Sequence, residues 1–241
     1  MVELIGAASL TALATGLGAI PVFLLGERAR VLQPALLGVA AGVMSVAAVL
    51  GLLVPALDNG EPLEVAAGIA IGVGFLLGAR SWLGHRRQHV GTGAARRTAL
   101  LVFAVLFVHS LPEGFAIGSA YASSTEGLAL FIVTAIAIQN IPEGTSVAIP
   151  MAAAGEPAGR QFWAAVGTSV PQPFGAVIAY LLVEQVQALL SFSFAFAAGA
   201  MLALVVVELL PGALRANRRM ALAGTALGGV VMVALSAALG V

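Results

Sequence analysis

Two hexapeptides hold the residues of this chain best suited to chemistry: His109-Ser110-Leu111-Pro112-Glu113-Gly114 and Gln139-Asn140-Ile141-Pro142-Glu143-Gly144. Each sets an imidazole or an amide four residues ahead of a carboxylate, with proline before the carboxylate and glycine after it. On a helix, residues i and i+4 share a face, so His109 pairs with Glu113 and Gln139 with Glu143. One imidazole, one amide oxygen and two carboxylates suit a divalent cation such as Zn2+, Fe2+, Mn2+ or Cd2+. Both hexapeptides lie inside runs of mostly apolar residues long enough to cross a bilayer. A carboxylate at the centre of a bilayer costs from about 3 to more than 10 kcal/mol. No arginine is near either run in sequence, so the expected countercharge is a bound dication. Pro112 and Pro142 deprive the carbonyls of Val108 and Ile138 of an N–H partner, and the glycines are read as opening room beside the site. Ser146 and Ser169, polar groups in apolar helices, are read as bonding back to an i−4 carbonyl.

The elements that must position these groups are apolar throughout. Of 241 residues, 60% are hydrophobic and 9% charged, and the mean hydropathy is +1.05. A soluble chain would carry roughly a quarter charged residues, so the expected fold class is an all-α polytopic membrane protein. Apolar runs against polar or Pro/Gly breaks predict eight transmembrane helices at about 3–25, 34–57, 62–83, 99–122, 126–151, 159–183, 189–214 and 219–240. They are expected to form a single transmembrane domain over residues 1–241, with a polar, basic loop at 84–98 containing His85 and His89. There is no cysteine, which excludes thiolate metal sites. No basic leader precedes the first run, which reads as a retained helix.

Charge sorting gives the orientation. With both termini on the extracytoplasmic side, all 11 basic residues fall in the loops after helices 1, 3, 5 and 7 or at their edges: Arg28, Arg30, Arg80, Arg86, Arg87, Arg96, Arg97, Arg160, Arg215, Arg218 and Arg219. The opposite side holds Glu3, Asp58, Glu61, Glu64, Glu126 and Glu184. The positive-inside rule is thereby satisfied without exception. Helices 4 and 5 become antiparallel, which brings His109, Glu113, Gln139 and Glu143 to one layer about halfway through the membrane. Glu208 is the remaining carboxylate at membrane depth, read as a pathway residue. Arginine without lysine suggests a GC-rich bacterial genome, hence a bacterial cytoplasmic (inner) membrane.

Two internal echoes point to an inverted repeat. Leu111-Pro112-Glu113-Gly114 returns as Ile141-Pro142-Glu143-Gly144, and Ala41-Gly42-Val43-Met44 as Ala198-Gly199-Ala200-Met201. Each pair is antiparallel in the predicted topology, the arrangement that puts a carrier's site at the repeat interface. Met44 is then placed to offer a thioether on the outer path. Two other functions compete. A proton-coupled carrier of a non-metal substrate would use the glutamates for protons alone. An intramembrane metalloenzyme would need a nucleophile or His-Glu-X-X-His motif, and neither is present.

The hexapeptides resemble the helix 4 and helix 5 signatures of the ZIP (Zrt/Irt-like protein) family of divalent metal transporters, and the likeness extends over the whole chain. It implies a 3+2+3 inverted-repeat bundle and metal ligands at His109, Glu113, Gln139 and Glu143. It further implies alternating access, in which one helix bundle moves against another and carries the ion, most simply Zn2+, into the cytoplasm. The loop histidines His85 and His89 match a habit of the family. Relatives with a second metal hold it on positions matching Ser110, Asn140 and Gln172, where this chain is neutral. Pro171-Gln172-Pro173 stands where such relatives carry Pro-Glu-Pro. A second dication on neutral oxygens and shared carboxylates is poorly compensated, so one principal ion is expected and at most a weak second site. The metal is substrate rather than cofactor. The expected partners are divalent ions and the lipid bilayer, with no nucleic acid and with a homodimer left open.

Overall fold

The computed structural model describes residues 1–26, 28–85 and 94–241, and every regular element among them is helical. α1 (Val2–Leu17) and α2 (Ile20–Leu25) form one bent segment, with Pro21 in the first turn of α2. α3 (Arg28–Val46) runs through a π-helical stretch, Ala47–Leu53, into α4 (Val54–Asn59). α5 (Pro62–His85), α6 (Ala94–Ala122) and α7 (Leu128–Ala153) are continuous, the last two passing through Pro112 and Pro142. α8 (Ala158–Thr168) and α9 (Pro171–Gln185) are separated just before Pro171. α10 (Leu189–Leu204) leads through a second π-helical stretch, Val205–Leu209, into α11 (Leu210–Leu239).

Seven of the resulting segments are long and apolar enough to cross a membrane. Six hold 22 to 32 residues, while the seventh, Leu189–Leu239, holds 51. At 1.5 Å per residue that is about 76 Å, far beyond a hydrocarbon core of roughly 30 Å. Asn217 interrupts it with extended backbone (φ −159°, ψ 103°). The Asn217 side chain then accepts the Met220 N–H at 3.1 Å, the hydrogen bond of a residue that starts a fresh helix.

Packing divides the helices into two sets, each built on glycines where backbones touch. α1, α6, α7 and α9 form one set. A Cβ on Gly114 or Gly118 would collide with the α9 carbonyls of Gln172 and Ala176, and one on Gly144 with the α1 carbonyl of Thr15. The second set is α3, α5, α10 and α11, where Gly38 and Gly42 meet Ala221 and Thr225, and Gly72 meets Phe196. Small residues at such crossings are the usual means of close helix association in lipid, where no hydrophobic force draws helices together. In each pair the residue numbers rise together, so the partners run parallel. That places the described arginines at one end of the molecule.

Gly144→Val is expected to destabilise the fold by about 3 kcal/mol or more, because the obstacle is backbone rather than a movable side chain. Nothing lies within 4 Å of a Cβ built at Gly6, so Gly6→Val should keep the monodisperse gel-filtration yield that Gly144→Val loses.

Candidate metal centre

α6 delivers His109, Ser110 and Glu113, α7 delivers Gln139, Asn140 and Glu143, and α9 delivers Gln172. All seven are buried, none more than 4% exposed. One side of the group is fully hydrogen-bonded. Gln172 Nε2 donates to Glu113 Oε2 at 2.6 Å and to Asn140 Oδ1 at 3.4 Å. Gln172 Oε1 accepts from Thr11 Oγ1 at 2.9 Å and Asn140 Nδ2 at 3.3 Å. Asn140 Nδ2 also donates to the Thr11 carbonyl at 2.7 Å, and Ser110 Oγ to the Leu106 carbonyl at 3.0 Å. This network ties α1, α6, α7 and α9 together at the level of the carboxylates.

The other side lacks partners. Gln139 Nε2 donates to Glu113 Oε1 at 2.6 Å, but Gln139 Oε1, His109 Nδ1 and Glu143 Oε1 are buried with no hydrogen bond. An unsatisfied buried polar atom costs about 1–3 kcal/mol, more when charged. No basic side chain among the described residues lies within ion-pairing distance of Glu113 or Glu143. The three orphaned atoms belong to three of the four residues whose spacing suggested a cation. The side chains are not gathered into one shell, however. Among the described residues no three of His, Asp and Glu stand close enough to hold a metal ion. The structure joins Glu113 to Gln139 and Gln172, and sets His109 and Glu143 on the wall of a common cavity.

That cavity, about 450 Å3, lies toward the arginine end and is bordered by Gln33, Arg80, His109, Glu143, Ser146, Glu208 and Arg215. Glu208, in the second π-helical stretch, is ion-paired to Arg80 at 3.9 Å, and Arg80 Nη1 donates to the Val207 carbonyl at 3.4 Å. Toward the other end the chain is closed. Met44 and Met201, one from each echoed tetrapeptide, flank a void of about 10 Å3 beside His109 and Pro112. Beyond it Leu4, Leu52, Phe131, Ile132 and Phe194 pack with almost no exposure.

Some expectations need correction. The glycines after the two carboxylates do not open room beside the site; Gly114 and Gly144 are filled by the backbones of α9 and α1. Ser169 does not bond back along its own helix, but shares a 2.6 Å hydrogen bond with Thr15 of α1. Ser146 does bond back, to the Pro142 carbonyl at 3.2 Å. The side chain of His85 and all of His89 fall outside the described residues. Thr11, Gln33, Arg80 and Arg215 were not singled out from sequence. Gln33 and Thr11 carried no motif, and the arginines read only as orientation signals.

Seven segments long and apolar enough to cross a membrane, packed around a buried and partly unpartnered donor set beside a cavity, are the architecture of a polytopic membrane protein. The profile of the ZIP zinc transporter family matches residues 83–236. The zinc transporter GufA of Myxococcus xanthus is 34% identical over an alignment of 248 positions that covers 97% of this chain and 98% of its own length. The zinc transporter ZIPB of Bordetella bronchiseptica is also 34% identical over an alignment of 248 positions that covers 94% of this chain and 78% of its own. An Arabidopsis thaliana protein is 35% identical over 215 residues, 85% of this chain but only 33% of its own length. The chain belongs to the ZIP zinc transporter family.

Proposed function

We propose that the protein carries a divalent transition-metal cation, most simply Zn2+, across the bacterial cytoplasmic membrane into the cytoplasm, through one midplane site formed by His109, Glu113, Gln139 and Glu143. The observation that carries this reading is the set of orphaned buried atoms, His109 Nδ1, Gln139 Oε1 and Glu143 Oε1, beside the Glu113 carboxylate. Fe2+, Mn2+ and Cd2+ suit the same mixed donors. The family membership and the names of GufA and ZIPB favour zinc.

The topology we propose has eight helices, the 51-residue segment being two crossings parted at Asn217, with both termini outside. The flanking Arg215, Arg218 and Arg219 support that division, since they place basic charge where the chain would turn at the cytoplasmic face. A 3+2+3 inverted repeat in a single domain is supported by three matched features. The π-helical stretches follow Met44 and Met201 at nearly the same interval. The glycine contact of α7 with α1 mirrors that of α6 with α9. The contact of α3 with the end of α11 mirrors that of α10 with α5. On this topology the cavity faces the cytoplasm and the packed layer around Phe131 and Phe194 seals the outside, an inward-open state. Alternating access would then come from sliding the set of α1, α6, α7 and α9, which carries the ligands, against the other set. Met44 lies on the outer path, and Glu208, held by Arg80, on the inner one. Asn140 and Gln172, bonded to one another and to Thr11 of α1, and Ser110, bonded to the Leu106 carbonyl of its own helix, leave room for one principal ion. We make the same proposal for a monomer or a homodimer.

Uptake of radiolabelled Zn2+ into proteoliposomes tests the reading. His109→Ala and Glu113→Ala should each lower uptake by roughly 100-fold, the effect of about 3 kcal/mol lost at the site. Uptake unchanged in both variants would sink it.

A further inference from the structure

On the membrane-facing side of the bundle, away from the metal-side cavity, lies a groove of about 420 Å3 bordered by Phe75, Ala79, Phe107, Leu111, Val170 and Phe174. Its walls are apolar throughout. It marks the seam between the two helix sets, since α5 belongs to one and α6 and α9 to the other, and α5 packs far less closely on α6 than on α10. Phe107 and Phe174, each near the middle of a segment long enough to cross a membrane, are 41% and 64% exposed, so the groove is open along the outer surface of the bundle.

The helix faces that form the groove continue toward the arginine end in a particular order. On α6 the stripe reads Arg96, Leu100, Phe103, Phe107, Leu111, at spacings of three and four residues, and therefore on one face. Phe103 and Phe107 stack with ring centroids 6.0 Å apart, and Leu100 is 49% exposed. Arg96 is exposed at the head of this stripe, with Arg97 beside it. On α5 the stripe reads Phe75, Ala79, Trp82, and Trp82 is 58% exposed at the level where indole rings favour the headgroup boundary. Eleven residues separate Arg96 from Phe107, about 16 Å along a helix. The order from the membrane surface inward is thus two guanidiniums, an aromatic band, and an apolar slot. A phospholipid has the same order of anionic phosphate, glycerol and acyl chain.

We propose that this seam is a binding site for an anionic phospholipid, with its phosphate at Arg96 and Arg97 and one acyl chain in the groove against Phe75, Phe107 and Phe174. A zwitterionic lipid of the same chain length fills the slot but lacks the net charge, and each arginine near the surface favours the anionic headgroup by about fivefold.

The chain has two tryptophans, Trp82 and Trp163, and Trp163→Phe leaves Trp82 as the sole reporter. In phosphatidylcholine vesicles, phosphatidylglycerol brominated on its acyl chains should quench Trp82 at a mole fraction at least about fivefold lower than brominated phosphatidylcholine does. Adding Arg96→Gln and Arg97→Gln should bring the two lipids together, with circular dichroism and gel filtration showing the helical fold intact. Ala79→Phe, which fills the slot, should weaken quenching by phosphatidylglycerol without changing the fold. Equal quenching by the two lipids in the parent protein would overturn the site, leaving ordinary boundary lipid. A preference that survives removal of both arginines would overturn it as well.

Discussion

Glu143→Gln is expected to reduce zinc uptake to about 1% of wild type, the loss of about 3 kcal/mol at the site, while raising the melting temperature of the metal-free protein. The two effects have one origin. Glu143 is 2% exposed and its Oε1 has no partner, so without an ion any charge on it is held at a desolvation cost that no described side chain offsets. An isosteric amide removes that charge at little cost in packing, and unpaired buried charges are among the costlier features a fold can hold. With the ion, the same carboxylate supplies attraction that an amide oxygen cannot match. Zinc at about 100 times its dissociation constant stabilises a protein by about 2.7 kcal/mol, roughly 5 °C or more for a chain of this size. In wild type that shift should be seen in detergent by scanning fluorimetry, and in Glu143→Gln it should vanish. A variant that melts lower than wild type and still gains several degrees from zinc would contradict the assignment of Glu143.

The two carboxylates at the centre of that prediction are legible in the sequence because a charge inside an apolar run is expensive wherever the helix packs. Helical class and membrane character are legible for the same reason, as they depend on composition summed over long windows. The partners of the carboxylates are not. Thr11 reaches Gln172 from 161 positions away, and nothing about threonine in an apolar helix distinguishes it from one bonding to its own backbone. Arg80 satisfies the positive-inside pattern whether or not it pairs with Glu208, so its role as a wall of the cavity leaves no trace in a charge count. The π-helical stretches are built from Ala, Val, Leu, Gly and one Glu, residues equally at home in an α-helix, and only their matched places after Met44 and Met201 mark them. Gly114 and Gly144 show how a correct motif can be given the wrong physical role. The sequence signals that a side chain is excluded there, but not whether an ion or a neighbouring backbone excludes it.

Gln172→Glu should convert a one-ion centre into one that needs two. The Gln172 amide stands 2.6 Å from Glu113 Oε2 and 3.4 Å from Asn140 Oδ1, and it donates to both. A carboxylate in its place donates to neither. It would face Glu113 across a hydrogen-bond distance, with no basic group among the described residues paired to either carboxylate. In metal-free buffer the variant should therefore lose about 3 kcal/mol of stability. Zinc should restore it, because the introduced carboxylate and Glu113 would then share an ion with Asn140 Oδ1 on the side that Gln172 now saturates. Equilibrium dialysis followed by elemental analysis should give one tightly held zinc per wild-type chain and two per variant chain. Two ions in wild type would mean that the amide network yields to metal. One ion in a variant that zinc nevertheless stabilises would mean that the space around Asn140 is too small for a second. In the first case the centre would not be a single-ion one at all; in the second Gln172 would not be what limits it, and the limit would have to be sought in the close approach of α1 and α9 at Gly144 and Gly114.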